Sequence, residues 1–339
     1  MADDLNKVLV VGPSWIGDMV MAQSLFITIK NLNPDAQIDV LAPAWTFPLL
    51  ARMPEVNQSV AMPLGHGQLG LGDRVKLGRH LVTESYHRAI VLPNSWKSAL
   101  VPFAAKIPQR VGYLGECRWG LLTEPRKLVK QDLPMTVQRF VSLGLVDGGC
   151  PADIPIPKLH VSPTGQALVT AKFNLTQAQK ILALCPGAEY GLAKRWLPAH
   201  FAAVAEAKIA EGWQVMLLGS DKDRDVAKQI NLLTNHQCLD FIGKTTLAEA
   251  VDLLSLVDAT VSNDSGLMHV AAALNKPLVA IYGSSDPGFT PPLHQAARIV
   301  SLQKSCAPCF KRECPLGHTQ CLTEIMPARI LAEITAFDL

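Results

Sequence analysis

The sequence predicts an α/β protein made of two Rossmann-like, doubly wound domains. Short apolar runs alternate with longer helical patterns along the whole chain, as in a parallel sheet covered by helices. A proline- and glycine-rich stretch interrupts that alternation once, near the middle. Several of the runs end in turns of small polar residues that open directly onto a helix, the edge where open α/β sheets bind ligands.

A length of 339 residues suits two ordinary domains. A hydrophobic content of 49% against 18% charged residues points to packed cores, not disorder. The net charge of +2 excludes a general nucleic-acid binder. Residues 74–130, however, hold 11 Lys and Arg against 3 Asp and Glu, a local excess suited to an anionic partner or simply to a solvated surface. The start, MADDLNKVLVV, lacks the pattern of a secretory leader, and there is no run of about 18 apolar residues. A cytoplasmic monomer is expected, one that can still meet a membrane from outside.

The first strand is Lys7–Val11. The turn Gly12-Pro13-Ser14-Trp15-Ile16-Gly17-Asp18 follows, then a helix from Met19 to Leu32. This turn lacks G-x-G-x-x-G spacing, which argues against a nicotinamide dehydrogenase. Asp18, at the helix start, would serve as an N-cap on spacing alone. Further strands are expected at 38–42, 59–62, 89–92 and 110–113, with a glycine-rich basic loop from Pro63 running into a helix near Leu81. Residues 147–180 read as the link, because Asp147–Pro151 and Ile154-Pro155-Ile156-Pro157 suit neither helix nor central strand. The expected domains are therefore 1–165 and 175–339, with the last helix able to pack back on the first domain.

In the second half, strands are expected at 180–184, 214–218, 239–242, 259–261, 278–282 and 298–302, and helices at 199–211, 223–233, 247–256 and 267–274. The stretch Ser262-Asn263-Asp264-Ser265-Gly266 sits between a buried strand and an Ala-rich helix. It aims a helix N-terminus, with about half a positive charge, out of the sheet. Asp264 and Ser265 either cap that helix or meet an anionic ligand. Lys194, with Arg195, follows a small-residue loop at the same edge, and a compact ammonium there suits a phosphate.

Three motifs resemble those of glycosyltransferase family 9, the bacterial heptosyltransferases. They are G-P-S-W-I-G-D-M at 12–19, C-P-G-A-E-Y-G-L-A-K-R-W at 185–196, and S-N-D-S-G-L-M-H-V-A-A-A-L with P-L-V-A-I-Y-G at 262–283. The resemblance spans roughly Lys7 to Ile330. It implies the GT-B architecture, two such domains facing each other across a cleft. It implies an inverting transfer of L-glycero-D-manno-heptose from ADP-heptose to the first heptose of the Kdo2–lipid A core at the inner face of the cytoplasmic membrane. A family member with a different acceptor is the alternative.

Under that resemblance Asp18 is the catalytic base. Lys194 and a helix N-terminus stabilise the departing diphosphate with no metal or other cofactor. Gly17, Glu189, Asp264, Ser265 and Gly266 join Lys194 around the donor. His269 either reaches the diphosphate or is a packed helical histidine, and Asp223 is a candidate for the ribose diol. Asp221-Lys222-Asp223 and Asp223-Arg224-Asp225 mimic a metal-binding Asp-x-Asp, but read as a charged helix start. Acceptor candidates lie in the first half. Lys76, Arg79, Lys97, Arg110 and Arg118 suit carboxylates or phosphates, and Trp15, Trp45, Trp96 and Trp119 suit sugar or lipid.

Cys306, Cys309, Cys314 and Cys321 form a C-x2-C-x4-C-x6-C run that leaves three readings open. These are structural zinc, a redox pair, or a packed cysteine-rich loop. A non-catalytic anion binder on the same scaffold remains the rival of another class.

Overall fold

The computed structural model describes residues 6–65, 67–149, 153–176 and 178–337. The leader reading at the first five residues, and the Cys150-Pro151 part of the link, fall outside them. The chain divides into two compact units, Met1–Pro157 and Lys158–Leu339.

The first unit contains, in order, β1 (Lys7–Val11), α1 (Ile16–Leu32), β2 (Gln37–Ala42), α2 (Phe47–Leu50), β3 (Val56–Ala61) and α3 (Leu71–His80). β4 (Arg88–Val91), α4 (Leu100–Ala104), β5 (Gln109–Tyr113), β6 (Glu124–Arg126) and α5 (Thr136–Gly144) follow. Its sheet has the order β3-β2-β1-β4-β5-β6, and every pairing is parallel. The sequence reading missed β6, whose Glu-Pro-Arg composition carries no strand signal. As an edge strand it needs only one paired side, which is what lets Pro125 sit there.

The second unit opens with α6 (Pro163–Lys172), inside the stretch expected to be irregular. Ser162 caps it, its hydroxyl accepting from the Gly165 N–H at 3.0 Å, and Pro163 fills the first turn, where no N–H is needed. Then come β7 (Ile181–Cys185), α7 (Pro198–Ala210), β8 (Gln214–Leu217), α8 (Arg224–Leu233), β9 (Leu239–Asp240) and α9 (Leu247–Leu256). The unit closes with β10 (Ala259–Asn263), α10 (Gly266–Ala273), β11 (Leu278–Tyr282), β12 (Arg298–Ser301), α11 (Gln320–Thr323) and α12 (Pro327–Thr335). The last helix puts Ile330 and Ile334 into this unit's own core.

The second sheet runs β12-β11-β10-β7-β8-β9. Read from the other end and renumbered from its first strand, that is again 3-2-1-4-5-6, so the two units share one doubly wound order. All residues of β7, β10 and β11 are buried, as expected for strands covered by helices on both faces. The order reverses between β1 and β4 in the first sheet and between β7 and β10 in the second. At such a switch point the loops leaving two neighbouring strands diverge, and the crevice between them takes a ligand. The first sheet presents there the first turn of α1 with Asp18 and the loop carrying Lys97, and the second the loops carrying Lys194 and Asp264.

Candidate active site

The second unit's switch point is held together by buried polar contacts. β10 ends in Asn263, whose Oδ1 accepts from the Trp196 N–H at 3.0 Å and whose Nδ2 donates to the Pro186 carbonyl at 2.7 Å. One side chain thus staples both ends of the loop that leaves β7. The Trp196 indole is fully buried and donates to the Ile325 carbonyl at 2.9 Å. These anchors fix the 3₁₀ turn Leu192–Lys194 between them.

Lys194 therefore points at the start of α10, and its Nζ meets Asp264 Oδ2 at 2.5 Å. The Lys194 and Asp264 side chains are 16% and 5% exposed, so the pair is shielded from water on most sides. The ammonium also lies 5.0 Å from the centre of the Tyr190 ring, and the Arg312 guanidinium 5.3 Å from the same ring. Ser265 is the N-cap of α10 but makes no side-chain cap bond; its hydroxyl lies 3.2 Å from that of Ser262. The capping reading of Asp264 is thus displaced, because its carboxylate is spent on Lys194. The first-turn N–H groups from Gly266 onward have no intrahelical acceptor.

His269 lies inside α10, buried, and burial pushes its imidazole down to about 4, with Asp264 raising it and Lys194 lowering it by smaller amounts. It is a neutral, packed histidine near neutral pH, within electrostatic reach of both site charges.

Two donor candidates sit differently from the expectation. Asp223 is buried inside its own turn, where Oδ2 accepts from the Ser220 N–H at 3.0 Å and hydroxyl at 2.8 Å, and Oδ1 pairs with Arg195 at 3.0 Å. Gly187 makes room for it, since a Cβ there would lie 2.4 Å from its Oδ2. The carboxylate starts α8 and holds Arg195, in keeping with a charged helix start in the Asp-x-Asp pattern. Glu189 is exposed and pairs with Lys222, on the outer side of the loop.

In the first unit, Trp15 is the N-cap of α1, so Asp18 is the third helical residue and not the cap. Asp18 is half-buried in the first turn, with Gly17 before it and Trp15 38% exposed. A carboxylate there gains from the helix dipole while its edge stays open to solvent.

The basic acceptor candidates divide into two kinds. Lys76 and Arg79 are exposed on α3, and Lys97 reaches the Gln68 carbonyl at 3.3 Å. Arg118 is fully buried and has no donor left to offer. Its Nε and Nη2 donate to the Tyr113 carbonyl, its Nη2 also to Asn94 Oδ1, and its Nη1 to the Pro93 carbonyl at 2.6 Å, the Ser95 carbonyl and the Ser98 hydroxyl. Burial pushes its pKa down to about 10, with Glu116 raising it in part. Arg110 is likewise tied, donating to the Leu121 carbonyl at 2.7 Å and the Ile107 carbonyl at 2.5 Å over the Phe103 ring. Both arginines brace the loops after β4 and β5. Composition could not show this, because backbone carbonyls compete for guanidinium as well as phosphate does.

Sequence reasoning also missed Asn263, Tyr190 and Arg312 as supports of Lys194. Asn263 lies within the singled-out stretch, yet its partners are 67 and 77 residues away in sequence.

Residues 74–320 match the family described as glycosyltransferase family 9 (heptosyltransferase). The chain is 48% identical to lipopolysaccharide heptosyltransferase 2 of Salmonella typhimurium, over 97% of each chain. It is 47% identical to that of Escherichia coli K12, over 97% of this chain and 98% of the relative. The solved structure of E. coli ADP-heptose lps heptosyltransferase II superposes with a TM-score of 0.87 at 44% identity, covering 97% of this chain and 98% of that one.

Proposed function

The chain belongs to glycosyltransferase family 9, and from that premise we propose that it transfers heptose from ADP-heptose to the first heptose of a Kdo–lipid A core. The observation that carries the donor half is the Lys194–Asp264 pair at the α10 N-terminus, on the switch point of the second sheet. An ammonium and a helix N-terminus suit a diphosphate, and a carboxylate beside them suits the hydroxyls of the attached sugar. The relatives named above, similar over nearly their whole length, support the type 2 acceptor over those of other family members.

In this reading the donor diphosphate takes over Lys194, and Asp264 turns to the heptose. The anomeric C–O bond to the diphosphate breaks as the acceptor oxygen bonds the same carbon from the opposite face. Lys194 and the N–H groups of α10 meet the charge gathering on the leaving ADP. Asp18 takes the acceptor hydroxyl proton, a contribution of roughly 10² to 10⁴ in rate. His269, neutral under these conditions, adds no second cation. The transfer uses no metal.

The acceptor half is supported by exposed Trp15 and Trp119, and by Lys76 and Arg79 on α3. Such a mixture fits an anionic glycolipid presented at the inner face of the cytoplasmic membrane. Among the described residues no helix is long and apolar enough to cross a membrane. An acceptor panel tests the assignment: Kdo2–lipid A, its monoheptosyl form and its diheptosyl form, each with ADP-heptose. Turnover on the monoheptosyl acceptor alone is the expected result. Turnover only on one of the others would move the chain elsewhere within its family.

A further inference from the structure

A polar group left unpaired in a packed interior costs free energy, and a pair of them beside a ligand edge suits a partner that arrives from outside. Asn231, Thr260, Ser284 and Ser285 are each more than nine-tenths buried and carry a side-chain oxygen with no hydrogen-bond partner among the described residues. Asn231 on α8 and Thr260 inside β10 stand singly. Ser284 and Ser285 are neighbours, 1% and 6% exposed, in the turn that leaves β11.

That turn flanks the second unit's switch point. β11 pairs with β10, and the Asp264 N–H donates to the Ile281 carbonyl at 3.0 Å, so the turn leaves its strand beside the start of α10. The Ser284 N–H reaches the Ala193 carbonyl of the Lys194 loop at 3.3 Å, and the Ser284 carbonyl accepts from the Phe310 N–H at 2.7 Å. A Cβ on Gly283 would lie 2.5 Å from the Leu322 side chain, so the turn is also pressed against α11. Further along, Asp286 Oδ1 accepts from the Gly288 N–H at 2.7 Å, and the Tyr282 hydroxyl donates to the Thr290 carbonyl at 2.7 Å. A turn fixed at so many points has little room to relax and give its two hydroxyls partners of their own.

The chemistry of the pair selects its ligand. A diphosphate site gathers cations and N–H groups, which Lys194 and the first turn of α10 already supply. A serine hydroxyl both donates and accepts, as sugar hydroxyls do, and two of them near Asp264 match a group that presents several hydroxyls together. Each swings about one side-chain bond, so it can change partner while the backbone stays in place.

We propose that Ser284 and Ser285 are sugar contacts of the donor site, their hydroxyls pairing beside Asp264 with hydroxyls of the sugar that the nucleoside diphosphate carries. The proposal rests on the donor reading above and adds to it a second wall, contributed by the end of β11. Buried hydroxyls that only the sugar can pair discriminate against a donor that lacks it.

Calorimetry with ADP-heptose and with ADP, on wild type, Ser284→Ala and Ser285→Ala, tests it. Each substitution should weaken ADP-heptose about three- to tenfold and leave ADP within about twofold, since only the sugar loses a hydrogen bond. Urea unfolding of the ligand-free chain supplies a second readout. Removing a hydroxyl that has no partner should leave the unfolding midpoint of the second unit unchanged or raise it. Ser262 gives the contrast: it is as buried, but its hydroxyl donates to the Asn263 carbonyl at 2.7 Å, and Ser262→Ala should lower that midpoint. Equal weakening of ADP and ADP-heptose would overturn the sugar contact, as would unchanged affinity for both in the two variants. A lowered midpoint in Ser284→Ala or Ser285→Ala would show that the hydroxyl serves the fold, and would overturn it as well. Wild type that binds neither nucleotide would instead sink the donor reading itself.

Discussion

Lys194→Met removes the ammonium but keeps an unbranched stem beside Tyr190. Asp264, its side chain 5% exposed, is then left as a buried charge without its cation. Breaking a buried pair from one side costs about 3 to 5 kcal/mol, and the 16% exposure of Lys194 puts this pair at the lower end, about 3 kcal/mol. At 1.36 kcal/mol per tenfold, the folded-to-unfolded ratio of the second unit falls by a factor of about 150. Adding Asp264→Asn removes the stranded charge, and most of that loss should return. Activity should not return with it, because the diphosphate still lacks its cation; a drop of about 10² to 10³ in kcat is expected in both variants. Urea unfolding by tryptophan fluorescence, fitted with one transition per unit, gives the stability. ADP release gives the rate. A double variant as unstable as the single one would refute the electrostatic argument. A double variant as active as wild type would refute the role given to Lys194.

Three further perturbations separate support from chemistry. Arg118→Ala should destabilise the first unit by about 3 kcal/mol, seen in its unfolding midpoint, because it strands several buried carbonyls; Arg118→Lys should rescue little, having no planar fork. Asn263→Ala should cost about 2 kcal/mol and raise the donor KM, by freeing both ends of the Pro186–Trp196 loop; an unchanged KM would contradict the staple. His269 should make the second unit acid-sensitive. The unfolded chain takes up this proton near pH 6.5 and the folded one only near 4, so stability is full above about 6.5 and falls as the pH drops towards 4, by about 3 kcal/mol. His269→Gln should flatten that limb of the urea midpoint against pH, and an unaltered limb would show that other groups cause it.

The sheets were legible because buried parallel strands write themselves as apolar runs. Strands β1 and β11 fall on the residues the sequence marks, Lys7–Val11 and Leu278–Tyr282. β6 was not legible, since an edge strand of three polar-flanked residues has no pattern to show. α6 was masked by surrounding prolines, although Ser162-Pro163 is itself a helix-start signal. Within the site, the small-residue turns at the strand ends marked where Lys194 and Asp264 would stand. What each partner is doing was hidden: spacing cannot tell that Asp264 meets Lys194, 70 residues away, while Asp223 meets its own helix start. The same limit hid the carbonyl partners of Arg118 and Arg110, whose basic character alone was visible.

Transfer from ADP-heptose to monoheptosylated Kdo–lipid A, measured for wild type beside Asp18→Asn with EDTA present throughout, decides whether this chain carries the proposed chemistry. Robust transfer by the wild type and a loss of about 10² to 10⁴ in kcat for the variant are expected, with ADP-heptose binding intact. Folded wild type that transfers nothing where a related heptosyltransferase succeeds, or an Asp18→Asn variant as fast as wild type, would contradict it.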